Sequence, residues 1–189
     1  MNQDRLTDNF YDCIKPRLYQ RIGRELRLAG RVLDLGCGSC DLVCYLAETY
    51  RQHVTGVDIA AKKFPKHHHR SDGPRAKRTP RFRCIKHDAR HLDFVGDGSV
   101  DAIVSQYAIH EMTYPKAVFR EMHRVLRPGG EVLIVDFPRG SLADKLWKEK
   151  YYSPGEIAAM MEQAKFQEVK AKLIESSLLI WARGFRPVD

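Results

Sequence analysis

Val32-Leu33-Asp34-Leu35-Gly36-Cys37-Gly38 is a short apolar run that ends in a glycine turn, and twenty-two positions after Gly36 a second run, Val54-Thr55-Gly56-Val57, closes on Asp58. Glycines let a backbone turn sharply from a strand into a helix with no Cβ in the way. A carboxylate at the tip of the next strand can take both hydroxyls of a ribose. The pairing points to a cofactor that carries a nucleoside.

Which nucleoside follows from charge. A dinucleotide fold wants Gly-x-Gly-x-x-Gly, or Ala at the last place, because the pyrophosphate rests on the exposed amides of a helix N-terminus. Here that last position is Asp41, and Asp34 stands just ahead of the glycines. Two carboxylates repel a pyrophosphate. S-adenosylmethionine has no phosphate, and its sulfonium and ammonium are cationic, so an acid-flanked glycine loop suits it and disfavours NAD or ATP. The Lys-Ser/Thr pair of a P-loop is also missing.

Further pieces extend the pattern: Lys86-His87-Asp88-Ala89, Val100-Asp101-Ala102-Ile103-Val104, and Val125-Leu126-Arg127-Pro128-Gly129-Gly130-Glu131-Val132-Leu133-Ile134. With these the chain resembles the class I S-adenosylmethionine-dependent methyltransferases over nearly its whole length. It is close to the small type found in quinone biosynthesis and related small-molecule methylation. The family's usual third glycine is Cys40 here, a residue small enough for the turn.

The resemblance implies that Asp34, Gly36, Cys37 and Gly38 form the cofactor loop, that Asp58 holds the ribose and that Ile59 packs on the adenine. Asp88 and Ala89 would meet the adenine amino edge, and Ser105 and Gln106 would border the methionine part. For each of these acids the alternative is a helix cap or a turn. The reacting end falls in Ser105-Gln106-Tyr107-Ala108-Ile109-His110-Glu111-Met112, with Tyr107, His110 and Glu111 as candidate catalytic residues. Histidine can take a substrate proton at neutral pH, with Glu111 orienting it or binding a cation, unless the pair merely caps the next turn. Related enzymes fold their N-terminal segment over the site as a lid. That makes residues 1–29 a helical lid and Tyr11 a substrate contact, with Tyr151 and Tyr152 on the opposite wall; ordinary packing is the alternative for these aromatics.

Hydrophobic runs rich in Val, Ile and Leu predict strands at 31–35, 54–58, 82–86, 100–105, 131–136, 166–174 and 178–183. Helical patterns lie between most of them, at 41–48, 115–126 and 154–164. The alternation predicts an α/β fold with a Rossmann-like, doubly wound, seven-stranded, mostly parallel sheet and an antiparallel edge strand. The 189 residues fit a single domain, 1–189.

The pI is near 9.3, but residues 62–83 carry nine Lys or Arg against one Asp, an excess equal to the whole chain's net charge of +8. The body is therefore neutral, and this basic loop insertion, with its prolines and its His67-His68-His69 run, cannot hold a long helix. A solvated loop is the plain reading. A docking surface for RNA or protein is the alternative, which makes nucleic acid a conceivable but disfavoured partner. The chain lacks the signatures of base-amine and cytosine-carbon methylation. A non-catalytic, cofactor-binding regulator is the third class.

No apolar run approaches the roughly 20 residues of a membrane span, and the first residues lack a secretory pattern, so a cytoplasmic location and five reduced cysteines are expected. A zinc site from Cys37, Cys40 and Cys44, or from His67 to His69, is disfavoured because Cys37 sits inside the cofactor loop; no resident metal is expected. The leading expectation is transfer of a methyl group from S-adenosylmethionine to a small molecule by in-line displacement.

Overall fold

A computed structural model describes residues 3–60, 64–65 and 82–188, with side chains from residue 11 onward. The basic insertion at 62–83 therefore lies outside the described residues, except for Phe64, Pro65, Phe82 and Arg83.

Seven strands form one sheet: β1 (Arg31–Leu35), β2 (His53–Asp58), β3 (Phe82–Lys86), β4 (Val100–Gln106), β5 (Leu126–Asp136), β6 (Gln167–Ile174) and β7 (Leu179–Phe185). Their spatial order is β3-β2-β1-β4-β5-β7-β6. The first five run parallel, while β7 pairs antiparallel with both β5 and β6. The expected seven-stranded α/β sheet is present, with a hairpin at its edge whose antiparallel member, β7, lies one place in from the rim. The order reverses between β1 and β4, and a crevice opens at such a point beyond the carboxyl ends of the strands.

Successive residues of a strand face opposite sides, and both sides are buried here. Val32, Val54, Ala102, Val104, Leu133 and Val135 pack on one face with α1 (Gln3–Glu25) and α2 (Asp41–Thr49). Leu33, Val57, Ile103, Val132 and Ile134 pack on the other with α3 (Pro115–Val125) and α5 (Pro154–Gln163). Pro115 starts α3 at a position where its missing N–H costs nothing. Ser153 and Glu156 cap α5 reciprocally, Ser153 Oγ accepting from Glu156 N at 3.2 Å and Glu156 Oε2 accepting from Ser153 N at 2.7 Å. A short helix, α4 (Leu142–Trp147), was not foreseen: six residues are too few to show a helical period. β5 starts at Leu126 rather than 131, because Leu126 pairs with Val100 ahead of the Arg127-Pro128-Gly129-Gly130 turn and the pairing resumes at Glu131 after a register shift.

The expectation of five reduced thiols is corrected. Cys40 and Cys84 form a disulfide, 44 residues apart in sequence, while Cys13, Cys37 and Cys44 are free. Cys40 precedes α2, and α2 packs against β3, which carries Cys84. Among the described residues no helix is long and apolar enough to cross a membrane.

Candidate active site

A cavity of about 1000 Å³ lies at the carboxyl ends of β1 to β5, where the sheet order predicts a crevice. It is lined by Asp34, Gly36, Cys37, Gly38, Asp58, Ile59, Asp88 and Ala89 on one side, and by Tyr11, Gln106, Tyr107, His110 and Glu111 on the other. The structure thus gathers most of the residues singled out in the sequence around one space. Ser105, Tyr151 and Tyr152 are not among the lining residues. Ser105 is buried, and its hydroxyl donates to Leu35 O at 2.8 Å, tying β4 to β1. Tyr151 lies behind His110 with ring centroids 4.7 Å apart. Tyr152 packs in the core on the α3 and α5 side.

The glycine loop is held tightly. Gly36 has φ +79°, and a Cβ there would run into Ala108. The amides of Gly36 and Cys37 both donate to Val57 O, at 2.8 and 3.1 Å. Asp58 accepts from Gly38 N at 2.9 Å on one oxygen and from Ala60 N at 2.8 Å on the other. Each oxygen keeps a lone pair for a ligand hydroxyl. Ile59, beside it, is 70% exposed and offers an apolar face to the cavity. Asp88 is differently placed, because Arg90 donates to both of its oxygens and holds its carboxyl down at about 2.

Asp34 is 2% exposed and its Oδ1 meets no donor among the described residues. Burial, reinforced by the Asp58 charge, pushes its pKa up to about 7. Burial also pushes up the Cys37 thiol, with Asp34 and Asp58 adding to the effect. Asp34, Asp41, Asp58, Glu111 and Glu149 face the cavity against Lys15 and Arg90. A buried, under-satisfied carboxylate amid other acids fits a cationic ligand and repels a phosphate.

At the other end, His110 is buried on a single 3₁₀ turn, Ile109–Glu111, after β4. Asp136, the last residue of β5, accepts from His110 N at 3.0 Å and from Phe137 N at 2.8 Å. His110 Nδ1 lies 2.6 Å from the same carboxylate, so Nδ1 carries the hydrogen and Nε2 is the nitrogen that titrates. Nε2 stands 3.2 Å from Glu149 and 3.9 Å from Glu111. Burial lowers the His110 pKa, but Asp136, Glu111 and Glu149 together outweigh it and leave the pKa raised. Tyr107 holds a left-handed φ of 57°, uncommon for a bulky residue and typical of functional sites. Its ring stacks on Phe137 at 4.5 Å, and Tyr11 meets Phe137 edge-on at 4.8 Å. Phe137 and Trp147 complete an aromatic wall.

Asp136, Phe137, Trp147 and Glu149 were missed in the sequence. Asp136 was legible in principle, since it ends a parallel strand just as Asp34 and Asp58 flank their turns. Glu149 carried no signal, because its approach to His110 depends on how the chain folds back after α4.

A parallel sheet with this reversal, a glycine loop and an acid-lined adenosine-sized crevice define a class I S-adenosylmethionine-dependent methyltransferase. The chain belongs to the methyltransferase domain family, which matches residues 33–134. It is 24% identical over 196 residues to the ubiquinone/menaquinone biosynthesis C-methyltransferase of Syntrophotalea carbinolica, covering 86% of this chain and 80% of that one. It is 29% identical over 156 residues to phosphoethanolamine N-methyltransferase 1 of Triticum aestivum, covering 78% of this chain and 30% of that enzyme. The chain spans 30–50% of the length of several curated relatives. A crystal structure of a SAM-dependent methyltransferase from Archaeoglobus fulgidus superposes with a TM-score of 0.71 at 15% identity, over 97% of this chain and 100% of that one. S-adenosylmethionine is the cofactor.

Proposed function

We propose that the chain methylates a small molecule and that His110 takes the proton the acceptor loses. The observation that supports this is the His110–Asp136 pair: Nδ1 is fixed by a buried carboxylate at 2.6 Å, Nε2 stands 3.2 Å from Glu149, and the residue lines a cavity walled by Tyr11, Tyr107, Phe137 and Trp147. A cavity of about 1000 Å³ suits a cofactor and a compact acceptor rather than a macromolecular surface.

The bound cofactor supplies an activated methyl group on a cationic sulfur. The chain supplies alignment, exclusion of water and a place for the proton. In this reading Asp58 takes the ribose hydroxyls, Ile59 covers the adenine and Ala89 lies at the adenine edge. Asp88, held by Arg90, acts there through its remaining lone pairs. Asp34, with Gly36, Cys37 and Gly38, faces the cationic methionine end, while Gln106 lines the wall beside it. Tyr107 shapes the acceptor space, and Glu111 and Glu149 stabilise His110 once it is protonated. Residues 1–29 act as the lid through Tyr11. The named relatives act on nitrogen and on carbon, so the reading commits to a small acceptor that loses a proton.

Calorimetry with S-adenosylmethionine and S-adenosylhomocysteine, followed by a radiolabelled-methyl acceptor screen, tests it. His110→Ala is expected to lower turnover by about 10²–10⁴-fold while S-adenosylhomocysteine still binds. Because the neutral imidazole is the base and its pKa is raised above 6.5, the rate should climb with pH through a value above that one. Unchanged turnover in the variant sinks the role of His110. Turnover only on RNA or protein sinks the small acceptor.

A further inference from the structure

Three sulfurs converge beneath the glycine loop. Cys37 and Cys40 are the two ends of Cys37-Gly38-Ser39-Cys40, a C-x-x-C pair, and Cys84 is the third residue of β3. Cys40 is bonded to Cys84, Cys37 Sγ lies 3.4 Å from Cys40 Sγ, and all three sulfurs fall within 4.8 Å of one another. Two thiolates on one zinc-like ion, each at about 2.3 Å in a tetrahedron, stand about 3.8 Å apart. Cys37 and Cys40 are already close to that spacing, and the bonded Cys40–Cys84 pair reaches it only after the disulfide opens.

The framework around them is fixed. Cys37 N–H donates to Val57 O at 3.1 Å and Cys40 N–H donates to Cys37 O at 2.8 Å, closing the loop into a turn. Cys84 is in register with Gly56 of β2, and a Cβ on Gly56 would come within 2.8 Å of Cys37 Sγ. That glycine makes the room the Cys37 sulfur occupies. Cys40 is the N-cap of α2, where the helix dipole favours a thiolate. Methyl transfer itself uses none of these thiols as a group that gains or loses a bond.

We propose that, once the Cys40–Cys84 bond is reduced, Cys37, Cys40 and Cys84 bind one thiophilic divalent ion of the zinc class. A dithiol reductant gives two electrons and two protons to the disulfide and becomes a cyclic disulfide. The ion then forms three sulfur–metal bonds, the thiol protons pass to solvent, and a fourth position is left for water or another donor. An ion so held ties β3 to the loop that carries Gly36 and Gly38.

The test uses the full chain reduced with dithiothreitol, freed of reductant under anaerobic conditions and titrated with Cd²⁺. The thiolate-to-metal absorption is followed, a signal that imidazoles do not give. One equivalent of Cd²⁺ per chain should saturate the band. Cys84→Ser and Cys40→Ser should weaken binding by at least about tenfold, whereas Cys13→Ser and Cys44→Ser should leave it unchanged. S-adenosylhomocysteine binding by Cys84→Ser reports that this variant is folded. No saturable band in the wild-type chain, an intact band in Cys84→Ser, or its loss in Cys44→Ser overturns the proposal. None of these outcomes bears on methyl transfer.

Discussion

Asp34 is almost wholly buried at the edge of the cavity, and its surroundings set the terms on which the cavity accepts a ligand. Its folded pKa of about 7 stands above the roughly 3.9 of a free aspartate. The unfolded chain therefore releases this proton first as pH rises, and stability falls between about pH 4 and pH 7. At neutral pH the ligand-free protein carries a strained charge that a cationic ligand relieves. Asp34→Asn should remove that strain. Its Tm at pH 8 is expected to exceed the wild-type value by several degrees, at about 2–4 °C per kcal/mol for a chain of this size, with a smaller gain at pH 5. Affinity for S-adenosylmethionine should fall by at least about tenfold, one charged contact being worth roughly 1.5–3 kcal/mol. Scanning calorimetry at the two pH values decides it: an equal gain at both leaves no part for ionisation.

At the scale of elements, α1 does two jobs along its length. Leu18, Ile22 and Leu26 are 2%, 0% and 2% exposed and belong to the sheet-face core, whereas Tyr11, one face further toward the N-terminus, lines the cavity. The helix is thus anchored by its second half, and in the proposed reading its first half covers the site through Tyr11. Leu18→Ala should cost about 2–5 kcal/mol, seen as a lower Tm with little change in KM once folded. Tyr11→Ala should raise the acceptor KM with a smaller loss of stability. If both variants lose only stability, the covering role of the first half is wrong.

What was legible in the chain follows the same division. Strands β1 and β3 were read to the residue, and β2 and β4 to within one, because buried parallel strands are continuous apolar runs bounded by turns. The glycine-loop side of the cavity was legible because its residues sit at strand tips within short motifs. The His110 side was only half legible, since His110 is oriented by Asp136 and Glu149, which join it through tertiary packing. The Cys40–Cys84 bond was illegible for a similar reason: its partners meet only when α2 lies against β3.

For the molecule as a whole, the cavity draws its walls from the ends of five strands, the 3₁₀ turn, α1 and the loop after α4, so that ligand binding ties together elements from residue 11 to residue 149. A ligand that binds only the folded chain stabilises it by about 2.7 kcal/mol at a hundred times its Kd. For a chain of this size that is a rise in Tm of about 5–11 °C. S-adenosylhomocysteine should produce such a rise, and NAD should produce none, since Asp34 and Asp41 oppose its pyrophosphate. Asp58→Ala removes the carboxylate proposed to receive the ribose and releases the amides of Gly38 and Ala60, so it should lose most of the ligand-induced rise. It should also unfold a few degrees lower without ligand. A thermal-shift titration of both chains with both ligands separates the two effects. A full rise in Asp58→Ala would mean that the ribose is held elsewhere, and a rise with NAD would mean that the acids around the loop do not select the cofactor.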